Sequence, residues 1–266
     1  MNHPIQSLVF TDLDGTLLDH ETYDWSPAKP ALAGLAQHNI PVIFVTSKTA
    51  AEVMALREEI GNCHPFIVEN GGAVFIPKGC LNKATDERIV LGADRPTITD
   101  FLKKMREAGH HFESFQDMGT KGIIDTTGLD EASATLANQR EASEPLVYHS
   151  NSTMRETFIM AASKQGLAAL QGGRFLSVGG LTDKGQAATT LVERYRAAGH
   201  PIQNVIALGD SQNDTALLKV ASHPIWVRKK GPSPDSTFQI NARCTLKHGP
   251  SGWHDAILDV LGEIEK

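Results

Sequence analysis

Cysteine, positive charge and long apolar runs are all scarce in this chain, and each shortage excludes something. Cys63, Cys80 and Cys244 make an odd count with no Cys-x-x-Cys pair. A disulfide framework and a structural zinc site are therefore not expected, and a reducing cytoplasm fits the cysteine usage. Lysine and arginine number 25 against 31 acidic residues, for a formal net charge of −6. That balance gives no support to a nucleic acid or an anionic membrane as partner. No apolar run approaches the ~18 residues of a membrane helix. Met1-Asn2-His3-Pro4 lacks a basic region, so a signal peptide is not expected. Repeats and low-complexity segments are also missing. What remains, 266 residues of which 41% are hydrophobic, is enough for one large domain or two modest ones.

The most informative residues present are Asp12-Leu13-Asp14-Gly15-Thr16, directly after the apolar run Leu8-Val9-Phe10. On an extended chain Asp12 and Asp14 point one way and Leu13 the other. Gly15 permits a sharp turn. Paired acids at a strand end suit a division of labour, in which one attacks an electrophile or holds a metal and the other moves a proton.

Short apolar runs then alternate with helical periods. Pro41–Val45 and Phe66–Val68 read as buried strands. Pro30–Gln37 and Thr49–Ile60 read as helices, the second stopped by Gly61. This alternation predicts a parallel sheet covered on both faces. From Asn82 to Gly173 the pattern changes. Helices are expected over Thr97–Ala108, Asp130–Ala142 and Ser163–Leu170, with a strand at Thr157–Met160. After Gly180 the first style resumes, with a helix over Lys184–Ala198, a strand at Val205–Leu208, a helix over Ala216–Val220 and a strand at Pro224–Val227. The expected organisation is an α/β core, residues 1–81 and 178–266, interrupted by an α+β unit over 82–177. Such an insertion leaves from a loop at the sheet's C-terminal edge, where open parallel sheets bind ligands.

Four strand ends and helix starts are thereby aimed at one place: Asp12 and Asp14; Ser47; Lys184, behind the capping pair Thr182-Asp183; and Gly209-Asp210-Ser211-Gln212-Asn213-Asp214. In order and spacing these four resemble the motifs of the haloacid dehalogenase (HAD) superfamily of phosphotransferases. The resemblance implies a Rossmann-like core with an inserted cap of the larger, C2 type. It further implies that Asp12 becomes phosphorylated, that Asp14 acts as acid and base, and that Mg²⁺ is bound alongside. Asp12, Asp210 and the backbone carbonyl of Asp14 would hold the ion, with Asp214 in or near its ligand set, and so offset the repulsion between a phosphate dianion and a carboxylate. Ser47 would donate to a phosphoryl oxygen and Lys184 would neutralise another. No histidine–cysteine cluster competes for a softer metal.

In this superfamily the cap closes over the leaving group and sets specificity. Glu69-Asn70-Gly71-Gly72, Arg140-Glu141-Ala142-Ser143-Glu144-Pro145, Gly172-Gly173-Arg174-Phe175 and Gly249-Pro250-Ser251-Gly252-Trp253 together resemble the branch of phosphatases that act on mannosyl-3-phosphoglycerate to give the osmolyte mannosylglycerate. Arg140 or Arg174 is the expected fork for a glycerate carboxylate. Ser143 and Glu144 are the expected acceptors for sugar hydroxyls, and Ser47, Asn70, Gly71 and Asn213 would meet phosphate or substrate at the core rim. Competing readings are another sugar-phosphate or broad-range phosphatase, a phosphomutase and a silent phosphometabolite-binding protein. A mutase would carry its cap soon after Thr16, where Leu17–Pro30 is too short, and a silent relative needs no pair of carboxylates.

Overall fold

The apolar runs that are too short for helices become neighbouring strands. The computed structural model describes residues 4–171, 174–230 and 241–264. In the first part β1 (Ser7–Thr11), α1 (Lys29–Gln37), β2 (Val42–Val45), α2 (Ala50–Ile60) and β3 (Phe66–Val68) alternate as expected, and β4 (Ala73–Ile76) and β5 (Glu87–Val90) follow. Next come α3 (Arg95–Glu107), β6 (Phe112–Ser114), α4 (Phe115–Thr127), α5 (Glu131–Ala137), β7 (Ser143–Tyr148), α6 (Ser152–Lys164), β8 (Leu167–Gln171) and β9 (Leu176–Gly180). The last part is α7 (Lys184–Ala197), β10 (Asn204–Gly209), α8 (Thr215–Lys219), β11 (His223–Arg228), β12 (Arg243–His248) and α9 (Gly249–Ile264).

Eight strands form the large sheet in the order β12-β11-β10-β1-β2-β3-β4-β5. The pairs from β12 to β3 are parallel, while β4 and β5 extend the sheet antiparallel. Successive residues of β1 serve opposite faces. Val9 packs with Ala31 and Leu35 of α1, Val53 of α2 and Trp253 of α9. Leu8 and Phe10 pack with Leu191 and Tyr195 of α7 and Leu217 of α8. Helices on both faces of a mainly parallel sheet expose its C-terminal edge, and the central β1 lies between β2 and β10 there. Thr49 starts α2 with a capping box: its hydroxyl accepts from the Glu52 amide while Glu52 accepts from the Thr49 amide.

A second, antiparallel sheet has the order β6-β7-β9-β8. Phe101 of α3 and Phe158 of α6 cover one of its faces, together with Leu146 and Val178. A separate cluster joins Phe115 and Ile123 of α4 to Ala134 and Ala137 of α5. β5 pairs within the large sheet, so a boundary at 82 precedes the last strand of that sheet. A boundary at 177–178 falls inside β9.

Three expectations in this unit are corrected. The helix expected over Asp130–Ala142 ends at Ala137 with Asn138 as its C-cap, and the chain is already extended in β7 from Ser143. Thr157–Met160, expected as a strand, lies within α6. Asn151 caps that helix at Met154 N, and the buried Phe158 and Ala162 are one helical turn apart, whereas Met160 is exposed. The helix expected over Ser163–Leu170 is instead the end of α6, a turn through Gly166 at φ 72° and the alternating strand β8. Gly172 and Gly173 lie outside the described residues.

Candidate active site

The polypeptide reaches the C-terminal edge of β1 with Asp12, and fastens it there. The Asp12 amide donates to Leu208 O in β10 at 2.9 Å. Its carbonyl accepts from Thr11 Oγ1 at 2.7 Å, and Thr11 Oγ1 in turn accepts from Trp253 Nε1 at 3.0 Å. Gly15 then turns with φ 84°, and a Cβ there would stand 2.3 Å from Asp210 Oδ2. Only glycine allows both the turn and the approach of the two loops.

Asp12, Asp210 and Asp214 are buried, and one carboxylate oxygen of each lies within 4.8 Å of the others. Lys184, at the first turn of α7, places Nζ 2.6 Å from Asp12 Oδ1 and 2.6 Å from Asp214 Oδ1. Asp214 Oδ2 accepts from the amides of Asp210 and Ser211 and from the Ser211 hydroxyl, all at 3.0 Å. Asp214 thus spends both oxygens on holding Lys184 and the 210–211 turn. Lys229 approaches Asp210 Oδ2 at 3.3 Å from the end of β11.

These contacts set the electrostatics. Burial, then repulsion from Asp214, pushes the Asp12 carboxyl well above its ordinary range against the pull of Lys184. Burial raises Asp210 as well, opposed by Lys229. Burial alone would lower Lys184, but Asp12 and Asp214 outweigh it and raise the ammonium. Three buried carboxylates set against the buried Lys184 and the more exposed Lys229 leave a net negative site with oxygen donors only. That donor set suits a hard divalent cation, with Asp12 and Asp210 as the least encumbered ligands.

Asp14 follows a different path from Asp12. Its Oδ2 lies 3.1 Å from Lys48 Nζ, and its buried Oδ1 has no hydrogen-bond partner. Burial lowers Lys48, yet Asp14 and Glu52 more than restore its charge, so it stays a cation beside Asp14. Ser47 is exposed at the end of β2, beside both aspartates' strand. Arg140 reaches it from the other sheet's unit, donating from Nη1 to Ser47 O at 3.3 Å and to Ser143 Oγ at 2.8 Å.

The remaining expected residues divide between crevice and scaffold. Asn213 Nδ2 donates to Asn70 Oδ1 at 3.2 Å, so the ends of β10 and β3 meet at the rim. Gly71 lies beneath the start of α7, where a Cβ would stand 2.2 Å from Asp183 O; its role is to admit that helix. Ser143 and Glu144 are adjacent on β7 and so point to opposite faces. Ser143 faces Arg140 and the core. Glu144 is fully buried on the other face, accepting from Arg95 Nε at 2.7 Å and from Gln116 N at 2.8 Å, so it does not line the crevice. Arg174 is exposed and donates to Thr126 O at 2.7 Å, at the end of α4. Lys48 and Lys229 were not anticipated, and Glu69 was named only within the run Glu69–Gly72, without a role. Lys48 and Lys229 each follow a predicted strand, which is the signal that would have found them.

The chain as a whole has relatives of known family. The haloacid dehalogenase-like hydrolase family matches residues 9–165 and 178–233. A glucosyl-3-phosphoglycerate/mannosyl-3-phosphoglycerate phosphatase of Methanococcoides burtonii is 37% identical over 97% of this chain and 98% of its own. One of the same description from Persephonella marina is 35% identical, again over 97% and 98%. Among solved structures, a phosphatase of the haloalkanoate (HAD) superfamily from Bacteroides thetaiotaomicron superposes with a TM-score of 0.70 at 16% identity, covering 97% of this chain and 96% of that one, a likeness of fold. No helix among the described residues is long and apolar enough to cross a membrane. With its four motifs gathered at one sheet edge, the chain belongs to the haloacid dehalogenase-like hydrolases and is a phosphoric monoester hydrolase.

Proposed function

We propose that this phosphatase is Mg²⁺-dependent, works through an aspartyl-phosphate on Asp12, and takes a glycosyl-3-phosphoglycerate, mannosyl-3-phosphoglycerate first, releasing mannosylglycerate and phosphate. One observation carries the chemistry: Lys184 is hydrogen-bonded at 2.6 Å to both Asp12 and Asp214, with Asp210 in the same buried cluster. The sequence relatives, which match nearly end to end and act on glucosyl- and mannosyl-3-phosphoglycerate, carry the substrate class.

Bound Mg²⁺ would supply positive charge that lets a phosphate dianion approach a carboxylate. Asp12 and Asp210 would hold it, with the Asp14 carbonyl and Asp214 close by. The rest falls to the chain's own groups. An Asp12 oxygen forms the new bond to phosphorus as the ester P–O bond breaks. Lys184 keeps Asp12 ionised and balances charge on the phosphoryl group, while Ser47 donates to one of its oxygens. Asp14 gives its proton to the leaving oxygen. It then takes one from the water that attacks the aspartyl-phosphate, which frees phosphate and restores both carboxyl groups. Arg140, whose Nη1 donates to Ser47 O, would meet the glycerate carboxylate. The unit built on the small antiparallel sheet acts as the cap, and the enzyme works in the cytoplasm.

Kinetics across phosphorylated metabolites provides the test. With Mg²⁺, mannosyl- and glucosyl-3-phosphoglycerate should exceed sucrose, trehalose and hexose phosphates in kcat/KM by at least about tenfold. The activity should vanish in EDTA and return with added Mg²⁺. A flat ranking rejects the substrate, and full activity in chelator rejects the metal.

A further inference from the structure

Glu69 is a buried carboxylate that the chemistry above leaves unused. It directly follows β3, is 3% exposed, and holds a φ of 52° that few non-glycine residues adopt. Its side chain starts in the core and finishes in the cap. Oε1 accepts from the Glu141 amide at 2.8 Å. Oε2 accepts from the Ala142 amide at 3.1 Å and from the Ser143 hydroxyl at 2.6 Å. The Arg140 guanidinium lies 3.9 Å from the same oxygen. One core residue therefore gathers cap residues 140–143.

The Ser143 hydroxyl is the pivot, donating to Glu69 while accepting from Arg140 Nη1 at 2.8 Å. Arg140 is itself nine-tenths buried, and its Nε has no hydrogen-bond partner. Every group that meets Glu69 is a donor, which an acceptor-only carboxylate satisfies and an amide would not. Two further core–cap ties, Thr49 Oγ1 to Leu136 O and Arg88 to Glu141, do not touch Arg140, which itself reaches the core at Ser47 O.

We propose that Glu69 is a positioning residue: it latches segment 140–143 to the core and so aims Arg140 at the acidic end of the leaving group. The nature of that leaving group rests on the function proposed above, whereas the latch does not. Glu69→Gln puts a donor among donors at unchanged size. For mannosyl-3-phosphoglycerate its KM should rise about tenfold with kcat within about threefold, and kcat/KM for p-nitrophenyl phosphate should stay within about threefold. In an Arg140→Ala background the same change should add less than about twofold, because its effect passes through Arg140. Glu69→Asp, which withdraws the carboxylate by one methylene, should fall between wild type and Gln, and serves if the Gln variant does not fold. Parallel loss on both substrates, no change on either, or additivity with Arg140→Ala would overturn the proposal. Amide hydrogen exchange at Glu141 and Ala142 should quicken in Glu69→Gln, and unchanged exchange also overturns it. Should the wild type hydrolyse no glycosyl phosphoglycerate, the substrate assignment has failed, and exchange alone decides the latch.

Discussion

The core and the cap use charge in opposite ways. At the core's sheet edge, three buried carboxylates face the buried Lys184 and the more exposed Lys229, so their charges do not cancel. In the cap, charges are neutralised in pairs: Arg95 with Glu144, Arg106 with Asp117, and Arg88 of the core with Glu141. The first arrangement stores an imbalance for a cation and a phosphate to relieve. The second builds a scaffold. A charged residue in this protein is thus informative about chemistry only where its partners leave it short of compensation.

Three variants would break or sharpen that contrast. Asp12→Asn should reduce hydrolysis of any phosphomonoester, p-nitrophenyl phosphate included, by at least about a thousandfold while the protein stays folded. The substitution removes one of three repelling acids, so the melting temperature should hold, and surviving turnover would break the nucleophile assignment. Lys184→Met should cost about 3–5 kcal/mol in urea denaturation, since it strands two buried carboxylates. A cost near zero would mean that the cluster is less electrostatically tense than its geometry implies. Glu144→Gln should cost less, about 1.5–3 kcal/mol, by weakening hydrogen bonds to a charged partner. Its KM for mannosyl-3-phosphoglycerate should scarcely move, and a large rise would return Glu144 to the crevice.

The same contrast explains what was legible in the sequence. Asp12, Ser47, Lys184 and Asp210 could be read because each sits where an apolar strand stops or a helix starts, and parallel topology brings such points together. Lys184 and Asp12 are 172 positions apart, yet their order along the chain was enough. Cap residues offered no such anchor. Whether Ser143 or Glu144 faces substrate depends on strand parity, and no strand was expected over Ser143–Tyr148. The apolar, β-branched run Thr157–Met160 outweighed the Asn151 cap, so α6 was missed. Glu69 was visible at the end of the expected strand Phe66–Val68, but its role was not, because its partners are backbone amides and a hydroxyl more than 70 positions away.

The hydrogen bond from Trp253 to Thr11 has a consequence for timing. Asp12 is synthesised long before the indole that braces its strand, since Trp253 lies 242 residues after Thr11. Lys184 and Asp210 also arrive late. A partly synthesised chain therefore carries Asp12 without Lys184, Asp210 or Trp253, and the acidic cluster that the proposed chemistry needs is assembled only when the last third of the chain folds.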